Sequence, residues 1–202
     1  MPILRKYWFV ATITIFITAI LGGIGYMFWY GASSLPVISR APEFTLTNVL
    51  TNQPVTLRSL DSKVKLVTFL YTRCPDECPT TAFHMQQLQN QLKKMGLFGS
   101  KVVFLSITFD PTHDTSPVLK QYANQFHADP IGWYWLRSDE PTTLSILRQF
   151  GVTVKKPSNE IFEHQLKTEL LDQSGNVRKI YSTANLDQNE VIGDIQNLIS
   201  RG

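Results

Sequence analysis

The stretch Val64-Lys65-Leu66-Val67-Thr68-Phe69-Leu70-Tyr71-Thr72-Arg73-Cys74-Pro75-Asp76-Glu77-Cys78-Pro79 decides how this chain is read. Val64 to Tyr71 is almost continuously apolar and rich in branched and aromatic residues, the pattern of a strand buried on both faces, usually in a parallel sheet. The loop after it holds both cysteines of the chain. Each cysteine precedes a proline, which disfavours the helical region for the residue before it and so predicts two thiols on an extended loop. Pro79 suits a first helical position, which makes Cys78 the expected N-cap. There the peptide dipoles favour a thiolate, as does Arg73, while Asp76 and Glu77 oppose it. A disulfide across so short a loop is a poor structural staple, because the chain-entropy gain grows with loop length. The pair therefore reads as a working one.

Outward from this stretch, strands and helices alternate. Met85, Leu88, Leu92 and Met95 recur at helical spacing, and Lys93, Lys94 and Gly96 mark that helix's end. Val102 to Phe109 repeats the buried-strand pattern. Leu119, Tyr122, Ala123 and Phe126 form one helical face, Trp133 to Leu136 a short strand, and Leu144, Leu147 and Phe150 a helix that stops at Gly151. His164 to Leu171 and Val177 to Ser182 flank Asp172-Gln173-Ser174-Gly175-Asn176, a turn that joins two strands into a hairpin. Phe44 to Leu46 and Pro54 to Leu57 predict an edge hairpin, and Val191, Ile192, Ile195, Leu198 and Ile199 a last helix. The fold class implied is a layered α/β sheet with helices on both faces.

Trp8 to Tyr30 is uncharged and about as long as the roughly 20 residues that cross a bilayer. Aromatic residues crowd both of its ends, as at membrane interfaces, and Arg5 and Lys6 precede it. The expectation is an N-terminal transmembrane helix, with the N-terminus inside and the rest of the chain extracytoplasmic, in the cytoplasmic membrane of a bacterium. The apolar run exceeds the usual core of a cleaved signal, and no cysteine follows it to carry a lipid. Residues 1–30 are read as cytoplasmic stub and anchor, 31–40 as a tether and 41–202 as the folded domain. Without Arg5 and Lys6 the chain has 17 basic against 16 acidic residues, which is not the basic stripe of a nucleic-acid-binding protein.

Two thiolates four positions apart can converge on one soft ion, and thiolates select Cu(I), zinc or iron–sulfur clusters. A third ligand has four candidates: His84, His113, His127 and His164. His84 lies beside the buried stripe of its helix, His113 in a polar loop, and His127 at a helix end, where a cation meets the dipole favourably. His164 is favoured, because the hairpin it opens should lie beside the strand that carries the cysteines, and sites in open α/β sheets collect at strand carboxyl ends. A closed structural zinc site needs four ligands, whereas three suit copper held for transfer. Asp110 and Asp114 either help dock a partner or end a strand and cap the next helix, and the capping reading is favoured.

Ala41-Pro42-Glu43-Phe44, the strand into Tyr71-Thr72-Arg73-Cys74-Pro75-Asp76-Glu77-Cys78-Pro79-Thr80, then Thr108-Phe109-Asp110-Pro111-Thr112-His113-Asp114-Thr115, Phe150-Gly151-Val152, and His164 eleven residues before Gly175 together resemble the Sco/SenC family. The resemblance covers residues 41 to 200. It implies a thioredoxin-like fold anchored in a membrane, with copper bound as Cu(I) or Cu(II) by Cys74, Cys78 and His164. It further implies delivery of copper to the binuclear copper site of cytochrome c oxidase, with subunit II or another copper protein as partner, and hence a metallochaperone, with enzymatic turnover as a thiol-disulfide reductase left open at this level. Glu77 departs from the family, where an apolar residue is usual. Three rivals remain at this level: a thiol-disulfide oxidoreductase using Cys74 and Cys78, a peroxidase, and a redox or metal sensor. The peroxidase reading suffers from Tyr71, which stands where a threonine belongs.

Overall fold

The computed structural model describes residues 2–31, 35–152, 154–155, 163–164, 167–182 and 186–201. It divides into two units, residues 1–34 and 35–202. The first is helix α1 (Pro2–Gly31). Among the described residues no helix is long and apolar enough to cross a membrane. The described side chains of residues 11–26 in α1 are exposed and largely apolar.

In the second unit the order is β1 (Ser39–Arg40), β2 (Thr45–Asn48), β3 (Gln53–Thr56), β4 (Val64–Leu70), α2 (Glu77–Lys94), β5 (Val102–Thr108), α3 (Ser116–Gln125), β6 (Trp133–Arg137), α4 (Glu140–Gln149), β7 (Val154–Lys155), β8 (Glu163–His164), β9 (Lys167–Leu171), β10 (Asn176–Ser182) and α5 (Gln188–Arg201). Eight strands form one sheet in the order β1-β10-β9-β4-β5-β6-β2-β3. The β4–β5 and β5–β6 pairs are parallel, whereas β9 runs antiparallel to β4. Every residue of β4 and β5 is buried, as their near-continuous apolar sequences require. Ser39 and Arg40, in the segment read from sequence as a tether, pair with β10.

Helices cover both faces. Phe150, at the C-cap of α4, meets Phe69 of β4 edge to face at 5.2 Å between ring centroids. Lys179 of β10, level with Leu170 and through it with Leu66, bonds to Asp194 of α5 at 2.6 Å. Side chains at odd and even positions of a strand point to opposite faces, so α4 and α5 lie on opposite sides. Three expectations change. The segment His164 to Leu171 is not one strand: β9 begins at Lys167, and His164 sits in a separate two-stranded ladder with β7. Cys78 is not an N-cap, because α2 starts at Glu77 with Asp76 as its cap. Pro79 then falls third in the helix, where the missing N–H has no intrahelical partner to lose, so the first turn closes in spite of the Cys78-Pro79 bond.

Lys65 interrupts the apolar run of β4 and is wholly buried. Its ammonium donates to the carbonyls of Asp172 at 3.2 Å and Gln173 at 2.9 Å, in the turn between β9 and β10. Burial lowers its pKa, and the charges of Asp61, Asp172 and Glu43 pull it back up. The Asp172 carboxylate itself accepts from the N–H groups of Ser174 and Asn176, from Asn176 Nδ2 and from Arg178 Nη1 at 2.9–3.1 Å. Burial pushes its pKa up, but these donors outweigh it and leave the carboxyl below its ordinary value. A depressed carboxyl contributes stability above its unfolded pKa of about 3.9 that is lost as pH falls through the folded value. Asp172→Asn is therefore expected to flatten the acid limb of unfolding. Urea midpoints between pH 5 and pH 2 that fall in parallel for both proteins would show otherwise.

Candidate metal centre

The cysteine loop leaves the carboxyl end of β4 and the loop 109–115 leaves that of β5, so the parallel pairing of these strands sets the two loops side by side. Phe109 N donates to Leu70 O at 3.0 Å, and the rings of Tyr71 and Phe109 lie 4.9 Å apart at the loop roots. One carboxylate then ties the loops together. Asp114, wholly buried, accepts from Thr72 N at 3.1 Å and Thr72 Oγ1 at 2.5 Å on one oxygen, and from Thr108 Oγ1 at 2.5 Å on the other. Burial raises its pKa, and the three donors act against that rise.

Asp114 is thus not the cap expected from sequence; Thr115 occupies the N-cap of α3. A second tie runs through Asp110, whose carboxylate lies 3.2 Å from Arg73 Nη2 and 2.9 Å from His113 Nδ1. Arg73 Nη2 also lies 2.8 Å from that imidazole nitrogen. His113, read from sequence only as a residue of a polar loop, has two partners there, Asp110 and Arg73. Nothing in the sequence separates a clamp from a cap at Asp114, since both readings put an acid just before a helix.

The loop held in this way brings the thiols together. Cys74 N donates to Tyr71 O at 3.3 Å, and Cys78 N donates to Cys74 Sγ at 3.3 Å. Both cysteines are thiols and buried, Cys78 at 1% exposure and Cys74 at 8%. The hydrogen bond with Cys74 and burial push the Cys78 thiol far up, against a smaller opposing effect of a backbone hydrogen bond at Tyr71. The helix terminus was expected to favour a thiolate at Cys78; burial and the neighbouring sulfur overturn that for the metal-free protein. The phenol of Tyr122, also buried, has no hydrogen-bond partner among the described residues. Burial raises it first, and the charges of Cys78, Cys74 and Asp114 add to the effect.

The histidines divide by position. His113 stands on the loop beside the cysteines. His84 Nδ1 is buried on α2 with no hydrogen-bond partner among the described residues. His127, in the left-handed region at φ 50°, lies 3.0 Å by Nδ1 from Gln86 Nε2. β9 is antiparallel to β4 with Thr168 level with Thr68, so the start of β9 lies beside the end of β4, and His164 precedes it in β8. The side chain of His164 lies outside the described residues. Among the described residues no group of three His, Cys, Asp or Glu side chains forms a metal cluster.

The two thiols by themselves fit a soft ion, since sulfur donors prefer Cu(I) over harder cations. A surface cleft of about 490 Å³ lies elsewhere, lined by Arg40, Glu43, Arg58, Asp61, Gln173 and Ser174. That is the opposite end of the sheet, where β4 begins and β9 turns into β10. Its mixed charges include no soft donor.

A parallel β-β-β core with an antiparallel hairpin, carrying a Cys-x-x-x-Cys loop at the carboxyl end of its first parallel strand, defines a thioredoxin-like thiol protein. The SCO1/SenC family model matches residues 36–200, and the chain belongs to that family. It is 30% identical over 147 residues to the SCO1 protein homolog of Bacillus subtilis, covering 71% of this chain and 75% of that one. BsSco, a member of the Sco family of cytochrome c oxidase assembly proteins in which a disulfide switch has been identified, superposes with TM-score 0.72. It is 27% identical, over 83% of this chain and 97% of the other. ScoI of Bradyrhizobium japonicum with copper bound gives TM-score 0.67 and 26% identity over 79% and 99% of the two chains.

Proposed function

We propose that this protein is a membrane-anchored copper carrier that binds the ion through Cys74, Cys78 and His164 and passes it to a copper site of cytochrome c oxidase, with subunit II as the recipient. The observation that carries this reading is the pairing of two buried thiols, the backbone N–H of one donating to the sulfur of the other, on a loop clamped by Asp114. The relatives support it: one is a cytochrome c oxidase assembly protein and another holds copper. Copper is cargo here, as Cu(I) or Cu(II). Capture exchanges the thiol protons for the metal, which makes affinity rise with pH. Release is ligand exchange with the sulfurs and imidazoles of the recipient, so no substrate bond is made or broken.

Helix α1 is read as the anchor, with the domain on the extracytoplasmic side of a bacterial cytoplasmic membrane. Thr12 and Thr18 support this, since their hydroxyls donate to the carbonyls of Trp8 at 3.1 Å and Thr14 at 2.7 Å. A polar group satisfied within its own helix suits an apolar surrounding. Anchoring confines carrier and a membrane-bound recipient to one thin layer and raises their effective concentration.

A second reading draws on the same thiols. Cys74 and Cys78 can give two electrons and two protons to a disulfide of the recipient and close their own disulfide, leaving the partner's cysteines reduced and ready for copper. His164→Ala separates the two. Loss of copper binding with disulfide reduction intact is the expected result, read by chelator competition and by thiol titration of a model disulfide. Tight copper binding in that variant would remove His164 from the site, and loss of both activities would point to a folding defect that circular dichroism would reveal.

A further inference from the structure

Phe150 and Lys167 stand 17 positions apart, yet Lys167 Nζ donates to Phe150 O. Between them lie β7 and β8, which pair with each other outside the main sheet and set His164 of β8 opposite Val154 of β7. One side chain therefore joins the two roots of the segment that bears the third ligand. Both roots are fixed. Phe150 N donates to Ile146 O at 3.0 Å, the Phe150 ring packs on Phe69, and Val152 N donates to Leu147 O at 2.8 Å. Gly151, at φ 68°, supplies the left-handed step by which the chain leaves α4. On the other side Lys167 lies in β9, level with Ser182 of β10.

The ammonium is held by a second acceptor. Glu169, on the same face of β9, lies 2.6 Å by Oε1 from Lys167 Nζ, with its side chain only 3% exposed. It is level with Val67 and Ile180, and its Oε2 has no partner among the described residues. Burial raises the Glu169 carboxyl, and the bond and charge of Lys167 hold it down. Two apolar residues would fill these positions without desolvating a charge pair. What the ion pair adds is direction: Glu169 aims the ammonium at the carbonyl of Phe150.

We propose that Lys167, aimed by Glu169, is a positioning residue that latches the base of this segment and thereby sets where His164 meets the copper ion. The inference rests on the reading of His164 as the third ligand. Joining two points of a chain lowers the entropy lost when a ligand carried between them is fixed by a metal.

The test uses the full-length chain in detergent micelles. Lys167→Met is expected to raise hydrogen exchange of the β7–β8 amides in the metal-free protein about tenfold, as loss of a charge-assisted hydrogen bond would. Copper affinity should fall roughly 10- to 100-fold, the usual effect of losing a residue that supports a ligand. The nitrogen hyperfine signal of bound Cu(II) should weaken while the sulfur-to-copper absorption persists. Lys167→Arg, which keeps a donor for both acceptors, should restore all three. A double variant, Lys167→Met with Glu169→Leu, leaves no unpaired buried charge and should behave as Lys167→Met, so a misfolded single variant does not end the test. Wild-type exchange, affinity and nitrogen signal in that double variant overturn the latch. If His164→Ala loses copper in the same experiment, only the latch has failed; if His164→Ala binds as wild type, the ligand assignment and the latch fall together.

Discussion

Cys78→Ser is expected to weaken copper binding by more than about two orders of magnitude, beyond the roughly 10- to 100-fold that loss of a supporting residue costs. Cys78 is buried at 1% exposure within the first turn of α2, and a serine fills nearly the same volume there. The backbone bond from residue 78 to Cys74 Sγ does not involve the Cys78 side chain, so the loop keeps its shape. What changes is the donor: a hydroxyl is a hard, barely acidic ligand and does not replace a thiolate on a soft ion. Proton release supplies a second readout. The Cys78 thiol is held far above its ordinary pKa by its bond with Cys74 and by burial, so it enters the binding reaction protonated at neutral pH and must give up that proton to the solvent. Calorimetry in buffers of different ionisation enthalpy should therefore count about one proton fewer for the serine variant. Undiminished affinity together with unchanged proton release would mean that copper sits elsewhere.

Strands β4 and β5 were legible because burial on both faces leaves one sequence solution, a continuous branched and aromatic run, and the turn Asp172 to Asn176 because Gly175 takes φ 83°, where a glycine is needed. The thiol pair was legible because the residue type carries the chemistry. The position of Cys78 was not: the bias of a residue before proline is local and weak, and in a first turn, where no intrahelical bond is lost, packing of the buried thiol decides. Lys65, Asp114 and Glu169 were misread or passed over for a common reason. A buried charge is tolerated only where its partners are, and those partners, the carbonyl of Gln173, the amide of Thr72 and the ammonium of Lys167, are set by sheet order and strand register. Sequence periodicity assigns residues to a face; it does not say which strand comes next. The strand assigned to His164 begins three residues later, at Lys167, and His164 lies instead in the β7–β8 ladder, a pairing that periodicity does not reveal.

Asp114→Ala is expected to destabilise the domain by about 3 kcal/mol, the largest effect on stability among the substitutions considered, because it strands several donors at once. The carboxylate is wholly buried and takes the amide and hydroxyl of Thr72 and the hydroxyl of Thr108. Alanine leaves all three facing a cavity. The Thr72 amide has no rotation by which to find another partner, and each buried unmade bond costs about 1–3 kcal/mol. Thr108 is partly protected, since its oxygen also accepts from Asp110 N at 3.1 Å. Asp114→Asn separates charge from connectivity. Its carbonyl can still receive both Thr72 donors, and its amide can donate to Thr108 Oγ1 once that hydroxyl rotates, so a cost nearer 1 kcal/mol is expected. For a domain of this size the two variants should melt roughly 6–12 °C and 2–4 °C below the parent. Because Thr72 lies two residues before Cys74, the alanine variant should also lose the alignment of the two thiols and bind copper more weakly than the asparagine variant, in the order in which they melt. Equal melting temperatures for alanine and asparagine would mean that the donors find water instead, and that Asp114 does not hold the cysteine loop in place.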